Sequence, residues 1–264
     1  MDTLNWQDPS LLENRDRAGY TVLEALTAAS FAGRPRSSPS SHAQPSAYVC
    51  VDGRTYWLKG RAQQGLVAEL ITGRLAAAVG AGPMARIIRL TEPALADDSD
   101  RHLLGVVLGS EDRPGTVNAK DLAPAADGSS AVPVDPATRA LVVAFQTWLD
   151  LGDAQVLVGM TDGRVMSIDH GDCFGRVSQP AAPPEVRITN IPGVKPEVGQ
   201  EAAYVVAALA KIEAVTDDEI LRAVTQIPSG DAWNSPADRR LRIGGWVAER
   251  RGTLRGVMES WMLP

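Results

Sequence analysis

The chain has 264 residues, 44% of them hydrophobic, and a formal net charge of −6. That length suffices for one large domain or two units with separate cores. The acidic balance argues against non-specific nucleic-acid binding, which needs a basic face, and no apolar run approaches the ~20 residues of a membrane-spanning helix. The N-terminal run MDTLNW has neither the cationic nor the apolar region of a signal peptide, so a cytoplasmic location is expected.

Residues 2–17 are polar and read as a short helix or a loosely docked arm. Thr21, Val22, Leu23, Glu24, Ala25 and Leu26 open the first strand, and a Ser/Pro-rich stretch without periodicity covers 33–46. Two β-prone runs, AYVCV and TYWLK, flank Asp52-Gly53, a strong hairpin signal. A helix follows over 64–79, with Leu66, Leu70 and Ala77 on one face and glycines at 80 and 82 to end it. The runs at 85–90 and 103–108 read as two further strands. The first half is therefore β-β-β-α-β-β.

Residues 111–133 read as a polar linker. Asp135-Pro136 then supplies an acidic N-cap and a first-turn proline for a helix running to about Leu149. Two short apolar runs around Thr161-Asp162-Gly163 form a second hairpin, preceded by Asp150 and Asp153 and followed by Asp169. Residues 175–199 are a proline-dense loop. Helices resume at 201–214, then after the capping box Thr216-x-x-Glu219, and finally over 239–261 after Ser235-Pro236. The tryptophans at 148, 233, 246 and 261 fall on helical segments and are assigned to the core.

Cys50 and Cys173 have no metal-ligand spacing, and His42, His102 and His170 are scattered, so no zinc site is expected. Only four of the 26 basic residues are lysines, at 59, 120, 195 and 211. Lys59 is the one that ends an apolar strand, where a charge is costly unless it has a partner or reaches water. Glu69, in the next helix, is within reach of such a role.

Phosphoryl transfer of the kinase type uses a strand lysine paired to a helix glutamate, a carboxylate that orients the acceptor hydroxyl, and a second carboxylate that holds a metal. The segments YWLKG (56–60), QGLVAELITGRLAAAVG (64–80), LGSE (108–111), WLDLGDAQ (148–155) and SIDHGDCFG (167–175) occur in an order that resembles the HipA-like kinases. These are a bacterial branch of the protein-kinase-like fold related to phosphatidylinositol kinases.

The resemblance implies an α+β, bilobal protein-kinase-like fold. Residues 1–20 would form an N-terminal arm, 21–110 a small β-rich, nucleotide-covering N-lobe, and 111–264 a mainly helical C-lobe with the catalytic hairpin. It implies ATP and magnesium as cofactors and transfer to a Ser/Thr hydroxyl, with a protein as substrate. It makes Lys59 and Glu69 the phosphate-gripping pair, Gly109, Ser110 and Glu111 the place where adenine docks, Asp153 the substrate-orienting residue, and Asp169 the metal-binding aspartate. Gln155 becomes the second metal ligand, with Asp150 an alternative base and a serine among 37–46 a site of autophosphorylation.

Two departures stand out. Kinases place an asparagine five residues after the catalytic aspartate, whereas Gln155 follows Asp153 by two, and no Gly-x-Gly-x-x-Gly covers the phosphates. They keep open a second reading, a catalytically inactive pseudokinase that binds a partner or uses nucleotide as a switch.

Overall fold

A computed structural model describes residues 4–29, 46–60, 65–95, 98–122, 132, 134–151, 155–171, 173–174, 202–228 and 233–262. The fold is a mixture of strands and helices. Strands β1 (Val22–Ala28), β2 (Ser46–Cys50), β3 (Thr55–Lys59), β4 (Ala85–Leu90) and β5 (Gly105–Glu111) close into a barrel in the order β1-β2-β3-β5-β4. Every pairing is antiparallel except β1 with β4, which run parallel and complete the ring.

Alternation along the strands sorts their side chains between two environments. Tyr56, Leu58, Ile88 and Val107 fill the barrel, together with Tyr48, Cys50 and Leu90. Ile87 and Leu108 face outward and pack against Leu66 and Leu70 of helix α2 (Leu66–Val79), which lies across the barrel wall. Here α1 is the segment Ser10–Arg17. Lys59 stands opposite Leu108 in the β3–β5 ladder, so it shares that outer face and meets α2.

The other side of α2 belongs to a larger core. Ile71, Leu75, Ala76 and Val79 join residues of α3 (Pro136–Leu149), α4 (Ala202–Glu213), α5 (Asp217–Val224) and α6 (Ala237–Met262). Trp148 and Trp246 are buried there, and Trp233 packs against α2 and the barrel. The start of α3 is capped as expected, with Asp135 accepting from the N–H groups of Ala137 and Thr138, and Thr216 and Glu219 form the capping box of α5.

Two features differ from the sequence-based expectations. The stretch at 111–133 contains a strand, β6 (Thr116–Asn118), which pairs with β7 (Gln155–Gly159) to make a three-stranded sheet with β8 (Val165–Ile168). Its pairing partner lies some forty residues on, so no local pattern reveals it. Leu103 ends a 3-10 turn and the fifth strand begins at Gly105. The polar N-terminal segment, expected as a short helix or a loosely docked arm, forms the helix α1 and is held down: Leu12 is buried in the helical core, Asp16 receives both terminal Arg240 nitrogens at 2.7 and 3.1 Å, and Arg15 pairs with Asp218.

One contact fixes α2 on the helical side. The guanidinium of Arg74 donates to the backbone carbonyls of Ala223 at 3.0 Å, Thr225 at 2.7 Å and Gln226 at 3.3 Å, where α5 ends. Burial lowers its pKa to about 10, and it still carries its charge at neutral pH. These are carbonyls without helical partners, so Arg74 acts as a cap supplied from another element. No described helix is long and apolar enough to cross a membrane.

Arg74→Met should therefore cost about 2–3 kcal/mol, because it strips donors from buried carbonyls. Thr216→Ala, which removes only a helix cap, should cost about 1 kcal/mol. Urea unfolding of both variants checks the ranking, and equal losses would refute the role given to Arg74.

Candidate active site

The ends of β3, α2 and β8 converge on one ammonium group. Lys59 Nζ donates to Glu69 Oε2 at 2.6 Å and to Asp169 Oδ1 at 2.8 Å. The Lys59 side chain is 20% exposed, that of Glu69 8% and that of Asp169 42%, so the lysine–glutamate pair lies beneath and the aspartate opens to solvent. Burial pulls the Lys59 pKa down, but the two carboxylates beside it reverse that and hold it above the ordinary lysine value. Burial pushes Glu69 up, against the pull of Lys59. The ammonium therefore stays charged at neutral pH.

Asp169 follows directly after β8 with φ at 60°. A non-glycine residue in that region is uncommon and mildly strained. Its neighbours hold it there. Gln155, the first residue of β7, sits opposite Ile168 in the ladder and donates from Nε2 to Asp169 Oδ2 at 2.8 Å. Gln155 Oε1 in turn accepts from Nδ2 of Asn118, the last residue of β6, at 2.5 Å. On the helix side, Gly65 at the N-terminus of α2 has φ at 84° and lies so close to Gly171 that a Cβ would collide with its carbonyl. Only glycine allows α2 to approach the segment behind Asp169 so closely.

Beneath Asp169, His170 is buried against Phe145 with ring centroids 6.0 Å apart. Its Nε2 is 2.9 Å from Ser167 Oγ, which also accepts from Gln146 Nε2 at 3.0 Å. Burial, with Lys59 adding to it, drives the His170 pKa down to about 3. The imidazole is therefore neutral, and a hydrogen bond joins its Nε2 to the Ser167 hydroxyl.

The expected site residues thus divide. Lys59, Glu69, Asp169 and Gln155 come together. Gln155, expected to offer a carbonyl oxygen to a metal, instead turns an N–H donor toward Asp169. Gly109, Ser110 and Glu111 lie on β5, opposite Leu58, Trp57 and Tyr56. The Glu111 carboxylate is held by Arg54 and Arg113, at 3.3 and 3.2 Å. Its backbone N–H bonds Met84 O, and that of Asp112 bonds Thr55 O. Asp153 lies outside the described residues, as do Asp172 and the serines at 37, 38, 40 and 41. Ser46, counted with those serines, belongs to β2 and donates to Asp100 Oδ1 at 2.5 Å. Asp150 caps the end of α3 in a left-handed conformation, φ 53°. Asn118, Ser167 and Gln146 were not anticipated. Asn118 had no signal, because it contacts the site only through the unforeseen strand β6.

The donor set suits a magnesium-bound nucleotide. Magnesium is bound through one or two carboxylates plus phosphate oxygens and water, and Asp169 supplies one carboxylate beside a charged lysine. No three His, Cys, Asp or Glu side chains gather as a metal cage among the described residues.

No protein-family model matches the chain, and no curated protein does. Among solved structures it is similar to the Helicobacter pylori proinflammatory kinase CtkA, with 11% identity and a TM-score of 0.49 over 82% of this chain and 93% of that one. It is similar to the Golgi casein kinase with Mn/ADP bound, at 10% identity and a TM-score of 0.40 over 96% of this chain and 77% of that one. The FAT and kinase domain of CtTel1 gives 15% identity and a TM-score of 0.40, over 83% and 21%. These likenesses are partial, and the functional reading rests on the side chains of the site.

The neutral state of His170 sets a pH dependence. In the unfolded chain it takes up a proton near pH 6.5, and in the folded chain only near pH 3. Between those values the unfolded state binds more protons, so stability falls as pH drops below 6.5. At pH 5 this linkage removes about 2 kcal/mol. His170→Gln should lose less stability than the parent between pH 7 and pH 5 in urea titrations. Identical pH slopes would contradict the buried neutral imidazole.

Proposed function

We propose that the protein is a protein-kinase-like phosphotransferase. It would move the γ-phosphoryl group of ATP to a Ser/Thr hydroxyl of a protein, and its ordered motifs favour the HipA-like branch. The observation that carries this reading is the single ammonium of Lys59 bonded to both Glu69 and Asp169. Kinase chemistry uses a strand lysine paired with a helix glutamate, together with an aspartate that holds the metal. A structural ion pair has no need of the third, solvent-open partner.

Each residue then has a distinct task. Glu69 holds Lys59 extended, and Lys59 donates to the α- and β-phosphate oxygens. Asp169 would hold magnesium, which would supply neutralisation of charge on the phosphates. Asp153 would orient the acceptor hydroxyl and take its proton as the new oxygen–phosphorus bond forms and the bond to the β-phosphate oxygen breaks. Adenine would dock at Gly109, Ser110 and Glu111, where the N–H of Glu111 is already bonded to Met84 O. The inactive alternative, a nucleotide-binding pseudokinase, is favoured by one observation: Gln155 directs a donor, not a lone pair, at the metal-binding side of Asp169.

Calorimetry with a non-hydrolysable ATP analogue and a transfer assay with γ-labelled ATP test these roles. Lys59→Met should weaken nucleotide binding and abolish transfer, while Lys120→Met leaves both unchanged. Asp169→Asn should lose the magnesium dependence of binding. Asp153→Asn should keep nucleotide affinity and lower transfer by about 10²–10⁴-fold. Absence of binding by the parent protein at millimolar nucleotide with magnesium would sink the proposal. Binding without transfer would hand it to the pseudokinase.

A further inference from the structure

We infer that Asn118 and Gln155 are positioning residues that set the Asp169 carboxylate, and that Gln155 is not a metal ligand. This deepens the phosphotransferase reading and rests on it. The inference follows from the direction of three successive hydrogen bonds. The backbone N–H of Lys120 donates to Asn118 Oδ1 at 3.0 Å. That leaves Asn118 Nδ2 to face Gln155, where it donates to Oε1 at 2.5 Å. Gln155 Nε2 is then turned to Asp169 Oδ2, at 2.8 Å.

Amide oxygen and nitrogen are assigned from their partners, and here both ends of the chain fix the assignment. At one end is a backbone N–H, which can only donate. At the other is a carboxylate, which can only accept when ionised. Reversing Gln155 alone would set its oxygen against the Asp169 oxygen and its nitrogen against Asn118 Nδ2. Reversing both amides would press Asn118 Nδ2 onto the Lys120 N–H. Each reversal therefore opposes like groups in a half-buried setting, where unmade hydrogen bonds are costly.

The sheet supplies the geometry. Asn118 ends β6, Gln155 opens β7 and Asp169 follows β8, so the three lie in sequence along one end of the sheet. The result is a carboxylate held at both oxygens, Oδ1 by Lys59 and Oδ2 by Gln155. Each oxygen retains a second lone pair. Supporting bonds of this kind orient metal-binding carboxylates, and their loss typically costs 10–100-fold in metal affinity or activity.

Binding of ADP, measured by calorimetry with magnesium, with cadmium and without metal, separates a ligand from a positioning residue. Cadmium favours thiolate ligands, magnesium does not. Asp169→Cys should lose magnesium-dependent binding and regain metal-dependent binding with cadmium. Gln155→Cys should show no such cadmium gain. Asn118→Thr, whose hydroxyl can still accept from Lys120 but cannot reach Gln155, should weaken magnesium-dependent binding about 10-fold with unchanged metal-free affinity. A Gln155→Leu, Asn118→Thr double variant should be no weaker than Gln155→Leu. Cadmium rescue of Gln155→Cys would overturn the inference, as would an Asn118→Thr variant indistinguishable from the parent. If the parent itself binds no nucleotide in the presence of magnesium, the phosphotransferase reading fails first and this inference with it.

Discussion

A charged lysine held below the surface is the constraint around which this structure is arranged. Removing an ammonium from water costs several kcal/mol unless hydrogen-bonded anions replace the lost hydration. Lys59 meets that requirement with two carboxylates from opposite ends of the chain's folding problem, Glu69 ten residues away and Asp169 over a hundred away. Neither can be moved without leaving charge exposed to a poor solvent. The barrel, the helix across its wall and the three-stranded sheet must therefore assemble in one relative placement. The most exposed of the three charges, Asp169, is the one free to meet a ligand.

Helix α2 transmits that placement. Leu66 and Leu70 on its first turns pack on the barrel's outer face, while Ile71, Leu75, Ala76 and Val79 are buried among the other helices. Its hydrophobicity runs nearly all round, as expected of a helix enclosed on both sides. Glu69 lies at the side between the two contacts. Arg74 then ties the next turn to the carbonyl end of α5. The position of Glu69 is consequently set by the helical core as much as by the barrel, so the lysine–glutamate pair forms in the folded chain without help from a bound nucleotide.

How much of this could be read from the sequence depended on how local the signal was. The hairpins at Asp52-Gly53 and Thr161-Asp162-Gly163, the cap at Asp135-Pro136 and the box at Thr216 are encoded within a few residues, and each was legible. Helix α2 was legible from its period, and the pairing of Lys59 with Glu69 was implied by the resemblance to kinase motifs. Strand β6 was not, because three residues in a polar stretch become a strand only through pairing with β7. The parallel closure of β1 on β4 is hidden for the same reason. Gln155 shows a subtler limit. Its presence near Asp169 could be guessed, but which end of its amide faces that aspartate is decided by Asn118, and through it by the backbone N–H of Lys120.

The conformation of Asp169 shows why so many groups converge there. A non-glycine residue with φ at 60° lies about 1 kcal/mol or more above the ordinary regions, and a short turn after β8 could have used glycine without that cost. The strain persists because the surroundings leave no alternative. Lys59 and Gln155 hold the two carboxylate oxygens, Ser167 holds the buried ring of the next residue, and Gly65 abuts the carbonyl of Gly171. Stability alone would not favour spending four contacts to keep one exposed aspartate in an unfavourable conformation. A carboxylate that must present a fixed lone pair to a metal would require it, which is what the role proposed for Asp169 asks of this position.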